Sequence, residues 1–191
     1  MRLFVAVELP PKIREAAREA ASMLEQRLDR GCRIRWVPAD QMHLTVRFIG
    51  RVPDDEVPVV LDALAPPLPL EPFEVEFGGC GVFPRSGPPR VIWIGVSQGV
   101  ERLQAMHQEF NRRLSSLFVP REDRPFSAHL TVARIKEIGS KAGRQLRESV
   151  RDVQPHSVRC RVDAATVFRS ELSPRGARYS RLLQVLLTPQ R

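Results

Sequence analysis

The same four residues occur twice in this chain, as His43-Leu44-Thr45-Val46 and His129-Leu130-Thr131-Val132, with equivalent positions 86 residues apart. Two more pairs fall at almost the same distance: Val5 matches Ile92 at an offset of 87, and Phe83 matches Phe168 at 85. Around the phenylalanines, Gly81-Val82-Phe83-Pro84-Arg85-Ser86 resembles Thr166-Val167-Phe168-Arg169-Ser170. Offsets this constant mark an internal duplication of a unit of roughly 85 residues, too long for a solenoid repeat. The expected architecture is α+β: one bilobal domain over 1–191, duplicated roughly as 1–87 and 88–191. The two lobes are expected to be pseudo-twofold mates, each an antiparallel sheet flanked by helices, with the active-site cleft between them.

Local periodicity fills in the units. Leu3, Val5, Val7 and Leu9 alternate with Phe4, Ala6 and Glu8, the pattern of a strand. A helix follows, with Pro at its opening turn, apolar residues at Ile13, Ala16, Ala17, Ala20, Leu24 and Leu28, and Gly31 to close it. Residues 34–37 and 43–49 read as strands. Asp54-Asp55 is a candidate cap for a helix carrying Val57, Val60, Leu61 and Leu64. A proline-rich linker at 66–69 leads to a strand over 73–77. The second unit reads as a strand over 91–96, a helix over 100–117, a strand over 129–135, a helix over 140–150, and strands over 157–168 and 179–187.

In a strand, residues i and i+2 share a face. His43 and Thr45 therefore point one way and Leu44 and Val46 the other, and the same holds for His129 and Thr131. Two such strands brought together place two imidazoles and two hydroxyls in one cleft. That set suits phosphodiester hydrolysis: a neutral imidazole takes a proton from water, and an imidazolium gives one to the departing sugar oxygen. With an unperturbed pKa of about 6.5, histidine serves both roles near neutral pH. Threonine hydroxyls can donate hydrogen bonds to the phosphate oxygens as charge builds on them. Arg47 has the parity of His43 and Thr45, which makes it a candidate second cation in the cleft. His107, on a polar-rich helix, and His156, after Pro155 in a loop, carry no such pattern. Phe48 and Trp36 are candidates either for stacking on a base or for core packing.

Composition narrows the partners. The chain has 30 basic against 22 acidic residues and a net charge of +8, a balance that favours a polyanion such as nucleic acid. Only Lys12, Lys136 and Lys141 are lysines, and the arginines that make up the rest suit bidentate phosphate contact. Cys32, Cys80 and Cys160 are widely spaced, with no C-x-x-C pair, which points to reduced thiols in a cytoplasmic protein rather than to disulfides or zinc. No secretory signal or apolar run of membrane-spanning length is evident.

The paired H-x-T-x motifs resemble those of the 2H phosphoesterases, and the surrounding sequence resembles the bacterial and archaeal RNA 2′,3′-cyclic phosphodiesterases, once called 2′-5′ RNA ligases. The resemblance runs from Arg2-Leu3-Phe4-Val5-Ala6-Val7-Glu8-Leu9-Pro10 through Arg35-Trp36-Val37 and His43-Leu44-Thr45-Val46-Arg47-Phe48-Ile49-Gly50. It continues through Gly81-Val82-Phe83-Pro84 and His129-Leu130-Thr131-Val132-Ala133-Arg134 to the segment from Phe168 to Tyr179. It implies hydrolysis of a terminal 2′,3′-cyclic phosphate to a 2′-phosphomonoester, without metal or cofactor. His43 would be the proton donor to the leaving 3′ oxygen, and His129 the proton acceptor from water. Arg134 matches a phosphate-contacting arginine of the family. Simple alternation puts Arg134 on the face opposite His129, so a bulge or the strand's end must re-aim it if it serves there. Substrate contacts are thus expected from Arg134, Arg47 and Phe48. The implied partner is RNA ending in a cyclic phosphate, tRNA-derived ends included, or a nucleoside cyclic phosphate, bound by a monomer with no membrane involvement.

Three other readings stand beside this one. A non-catalytic RNA-binding module would not require paired imidazoles. A metallo-phosphoesterase would need further ligands, and Asp40 is the only carboxylate near either motif. A small cyclic nucleotide or a 2′-5′ linked oligonucleotide could replace the RNA end as substrate.

Overall fold

The computed structural model describes residues 1–28, 32–119, 122, 125–153, 157–173 and 176–189. The chain opens with β1 (Arg2–Glu8), α1 (Pro11–Gln26), β2 (Arg33–Trp36), a 3-10 turn (Ala39–Gln41) and β3 (His43–Arg51). Then come α2 (Val57–Leu64), β4 (Phe73–Phe83), β5 (Val91–Gln98), α3 (Val100–Leu114) and β6 (His129–Glu137). It finishes with α4 (Ser140–Asp152), β7 (Val158–Val162), β8 (Ala164–Ser173) and β9 (Gly176–Leu186). Among the described residues no helix is long and apolar enough to cross a membrane.

The strands pair antiparallel in the order β7-β4-β5-β6-β3-β1-β8-β9, with β2 added against β6. One lobe is β3-β1-β8-β9 and the other β6-β5-β4-β7, and the two meet at a single residue pair, Leu44 with Leu130. The lobes are not the sequence halves. β4, from the first half, pairs with β5 of the second, and β8, from the second half, pairs with β1 of the first. Each repeat therefore lends two strands to the other lobe, β2 and β4 from the first and β8 and β9 from the second, and the lobes depend on one another for their sheets. The segment 157–168, expected as one strand, divides at Asp163 for this reason: β7 lies on β4, and β8 lies on β1 in the opposite lobe.

The helices cover one face of the sheet. Ile13, Ala17, Ala20, Ala21 and Leu24 form the buried stripe of α1, and Leu103, Met106, Phe110 and Leu114 that of α3. They meet Leu44, Val46, Leu130 and Val132 in one core. Burying a side chain of this size contributes about 1.5–3 kcal/mol. The first helix stops at Gln26, two residues before Leu28, and its expected closing residue Gly31 lies outside the described residues. The expected Asp54-Asp55 cap is not used: Glu56 occupies the N-cap of α2, while Asp54 receives the Met1 ammonium at 2.7 Å.

Candidate active site

The other face of the sheet is the cleft face. On β1, Leu3, Val5 and Val7 join the helix-side core, while Phe4 and Ala6 form a separate cluster with Phe168 and Tyr179. On β3, Leu44 and Val46 are buried, and His43 and Thr45 are half-buried on the cleft side. β6 repeats the pattern with His129, Leu130, Thr131 and Val132. The Leu44–Leu130 pair fixes a register in which His43 stands across from Thr131, and Thr45 from His129. The imidazoles are then diagonal neighbours, a relation that spans roughly 7–8 Å and leaves room for a phosphate between them.

Each ring is aimed by the same contact. Nδ1 of His43 lies 2.8 Å from the Gln41 carbonyl, and Nδ1 of His129 lies 2.7 Å from the Ser127 carbonyl. A carbonyl only accepts, so Nδ1–H donates in both cases, and Nε2 is the nitrogen left for the cleft. Aromatic rings back both. Phe4 and Tyr179 lie 4.8 and 5.1 Å from His43, and Phe83 lies 5.0 Å from His129. Burial pushes both histidines below the ordinary imidazole value, although the carbonyl bonds oppose it. The positive charge of Arg134 acts on both rings in the same direction as burial, and His129 adds to the effect on His43.

Position +5 from each histidine departs from a simple strand pattern. In both strands two consecutive residues are buried, Val46-Arg47 and Val132-Ala133, where alternation allows one. The pairing slips at these points, between Thr45 and Arg47 against β1 and between Thr131 and Ala133 against β5. Each slip is a β-bulge, which reverses the facing of every residue after it. Arg134 is thereby exposed on the face of His129, and Phe48, its repeat mate, is 53% exposed on the face of Phe4, with ring centroids 6.4 Å apart. Phe48 is therefore not a core residue. Trp36, by contrast, packs against the core.

The same bulge overturns the expectation for Arg47. It points to the helix side, is only 3% exposed, and bonds the Phe48 carbonyl and, at 3.3 Å, Glu122. Its parity with His43 fails because Val46 is the extra residue. Removing one partner of a buried ion pair is costly, so Arg47→Ala is expected to lower the unfolding free energy by about 2–4 kcal/mol. Partial exposure of Glu122 makes this less than the cost for a fully buried pair. Urea denaturation measures it, and an unchanged midpoint would contradict the pairing.

Both bulge carbonyls find donors. His107, 7% exposed on α3, donates from Nδ1 to the Val46 carbonyl at 2.8 Å, and its Nε2 lies 2.8 Å from Asn111 Nδ2. In the other strand the Val37 amide donates to the Val132 carbonyl at 2.9 Å. His107 is thus a tether between α3 and β3, facing away from the cleft. His156 lies outside the described residues. Among the described residues no group of three or more His, Cys, Asp and Glu side chains is placed to hold a metal ion. Burial pushes the Cys80 and Cys160 thiols up to about 11.

A cavity of about 220 Å³ opens beside His43, lined by Phe4, Arg14, Asp40, Gln41 and Tyr179 among others. A larger one, about 390 Å³, shares Glu8 and Arg181 with it. Those two residues form an ion pair, and the Thr166 hydroxyl bonds Glu8 at 2.8 Å. Sequence reasoning nominated none of Phe4, Phe83, Phe168 and Tyr179. The signal available was that Phe4 has the parity of Ala6 and Glu8, but nothing local marks that face as the cleft.

The chain is similar to known proteins along nearly its whole length. The family described as LigT like Phosphoesterase matches the chain twice, over residues 7–93 and 94–179. An RNA 2′,3′-cyclic phosphodiesterase of Thermus thermophilus is 35% identical over 94% of this chain and 87% of its own. One from Methanocaldococcus jannaschii is 32% identical over 94% of this chain and 96% of its own. A crystal structure of a Thermus thermophilus protein superposes over the full length of both chains with a TM-score of 0.81 at 30% identity.

Proposed function

This chain belongs to the LigT-like phosphoesterase family, and we propose that it hydrolyses a 2′,3′-cyclic phosphate at an RNA end to a 2′-phosphomonoester. The observation that carries the reading is the pair of Nε2 atoms presented to one cleft by two carbonyl-anchored histidines. Its relatives named RNA 2′,3′-cyclic phosphodiesterase supply the substrate class, and the net charge of +8 suits an RNA strand.

In this mechanism His129 takes a proton from water as the water oxygen attacks phosphorus. The bond from phosphorus to the 3′ oxygen breaks, and imidazolium His43 protonates that oxygen. The Thr45 and Thr131 hydroxyls and the Arg134 guanidinium stabilise the non-bridging oxygens. The cycle ends with His43 neutral and His129 charged, and proton exchange with solvent resets the pair. The site is nearly symmetric, so the assignment of donor and acceptor rests on the family resemblance. The donor set supports a scheme in which the protein needs no metal, since among the described residues no third His, Cys, Asp or Glu is placed to complete a metal site with the two histidines. One chain supplies every group, so a monomer carries a complete site. Unpaired, burial-raised thiols at Cys80 and Cys160 suit the reducing cytoplasm.

The pH profile tests this. Activity needs one ring charged and the other neutral. Both are depressed in the free enzyme, so the window in which that holds lies below the one for two unperturbed histidines. The kcat/KM profile, which reports the free enzyme, is expected to be bell-shaped with its maximum on the acid side of about 6.5. A bound phosphate anion stabilises imidazolium, so the kcat profile should sit at higher pH. Chelator is expected to change neither. Coincident profiles would count against the electrostatic argument, and a rate dependent on added divalent metal would overturn the mechanism.

A further inference from the structure

Arg35 lies opposite Arg134 in the β2–β6 ladder. Ile34 and Trp36 pack on the helix-side core, so Arg35 takes the other face, the one that carries Arg134, Thr131 and His129. Two guanidinium groups side by side on one sheet face suit a ligand with more than one phosphate. Arg35 also reaches across the cleft. Gly176, at the start of β9 in the opposite lobe, has φ +135, and any side chain there would run into the Arg35 guanidinium. The Arg35 guanidinium thus lies against the start of β9. Arg134 bears electrostatically on both imidazoles and on Tyr179, while Arg35 bears on Tyr179. Arg35 therefore stands on the Tyr179 side of the site, one step further from the chemistry.

We propose that Arg35 and Arg134 form a clamp for two successive phosphates of one RNA strand, Arg134 taking the terminal cyclic phosphate and Arg35 the diester immediately upstream. Cross-strand neighbours have Cβ atoms about 4.5–5.5 Å apart, and two long side chains diverging from there span adjacent phosphates. The clamp rests on the proposed function, since it takes the terminal phosphate to lie between the histidines. Its consequence is a preference for an RNA end over a free nucleoside cyclic phosphate, which has no upstream diester.

The test compares kcat/KM for a nucleoside 2′,3′-cyclic phosphate with that for a dinucleotide ending in the same group. Arg35→Ala is expected to reduce the preference for the dinucleotide by about tenfold, as for loss of one charge-assisted contact. It should also flatten the salt dependence for the dinucleotide by about 0.7 in log–log slope. Replacing the upstream diester with a neutral methylphosphonate should erase the difference between wild type and variant. Equal losses on both substrates would mean that Arg35 touches the terminal phosphate, and that overturns the clamp. An unchanged preference overturns it as well. If the wild-type protein hydrolyses no cyclic phosphate, the proposed function fails, and binding still judges the clamp. Arg35→Ala must then weaken binding of a dinucleotide 2′-monophosphate more than that of the nucleoside 2′-monophosphate.

Discussion

Replacing either His43 or His129 by Ala is expected to lower kcat/KM on a cyclic phosphate by about 10²–10⁴-fold, the loss typical of a missing general acid or base. The double variant should fall little further, because proton donor and acceptor work as one unit. Structure accounts for the size of the effect. Each ring is held by a carbonyl through Nδ1 and backed by aromatics, so its Nε2 is set in one place in the cleft. The two roles can then be separated with a leaving group that needs no proton, such as a nitrophenolate. His43→Ala should be largely rescued on that substrate and His129→Ala should not. Rescue of the opposite variant would exchange the roles, and near-wild-type turnover by either variant on the natural ester would remove that histidine from the mechanism. Both rings are half-buried, so retained thermal unfolding midpoints are the needed control.

The placement of the histidines was legible because it depends only on the two-residue period of a strand. His43 and Thr45 share a face whatever the partner strand, as do His129 and Thr131. Everything that depended on pairing was less so. A bulge adds one residue without altering the apolar pattern enough to show: Val46 followed by Arg47 reads as core then solvent, and both are buried. Arg134 stands out only by family resemblance, and of the two ways to re-aim it, a bulge or the strand's end, the chain has a slip between Thr131 and Ala133. The matching slip in β3 puts Phe48 on the cleft face and Arg47 inside, against the parity of the bare sequence. The exchange of β4 and β8 between lobes was likewise hidden. A duplicated sequence shows that two units exist, and long-range strand pairing alone decides whether each unit folds on itself. His107 shows the limit from the other side: its polar-rich helix sets it apart from the paired motif, but its hold on the Val46 carbonyl 61 residues away cannot be read locally.

Arg134→Ala is the variant whose outcome bears most on how the cleft treats charge. If its guanidinium holds the terminal phosphate, removing a charge-assisted contact worth about 1.5–3 kcal/mol lowers kcat/KM by roughly 10–150-fold. Arg134→Lys should restore only part, since a point charge lacks the planar fork. The loss must appear with the nucleoside cyclic phosphate as well as with a dinucleotide, because both carry that phosphate. A second readout follows from the position of the charge. Arg134 pushes both imidazoles down in the free enzyme, so deleting it raises both, and the kcat/KM bell should move to higher pH even as its height falls. Arg134→Lys keeps the charge and should leave the bell near its original position. A merely structural role for Arg134 would lower the height without this displacement, and an arginine that only tracked the RNA backbone would spare the nucleoside substrate. Loss confined to the longer substrate, with the bell unmoved, would take Arg134 out of the phosphate site.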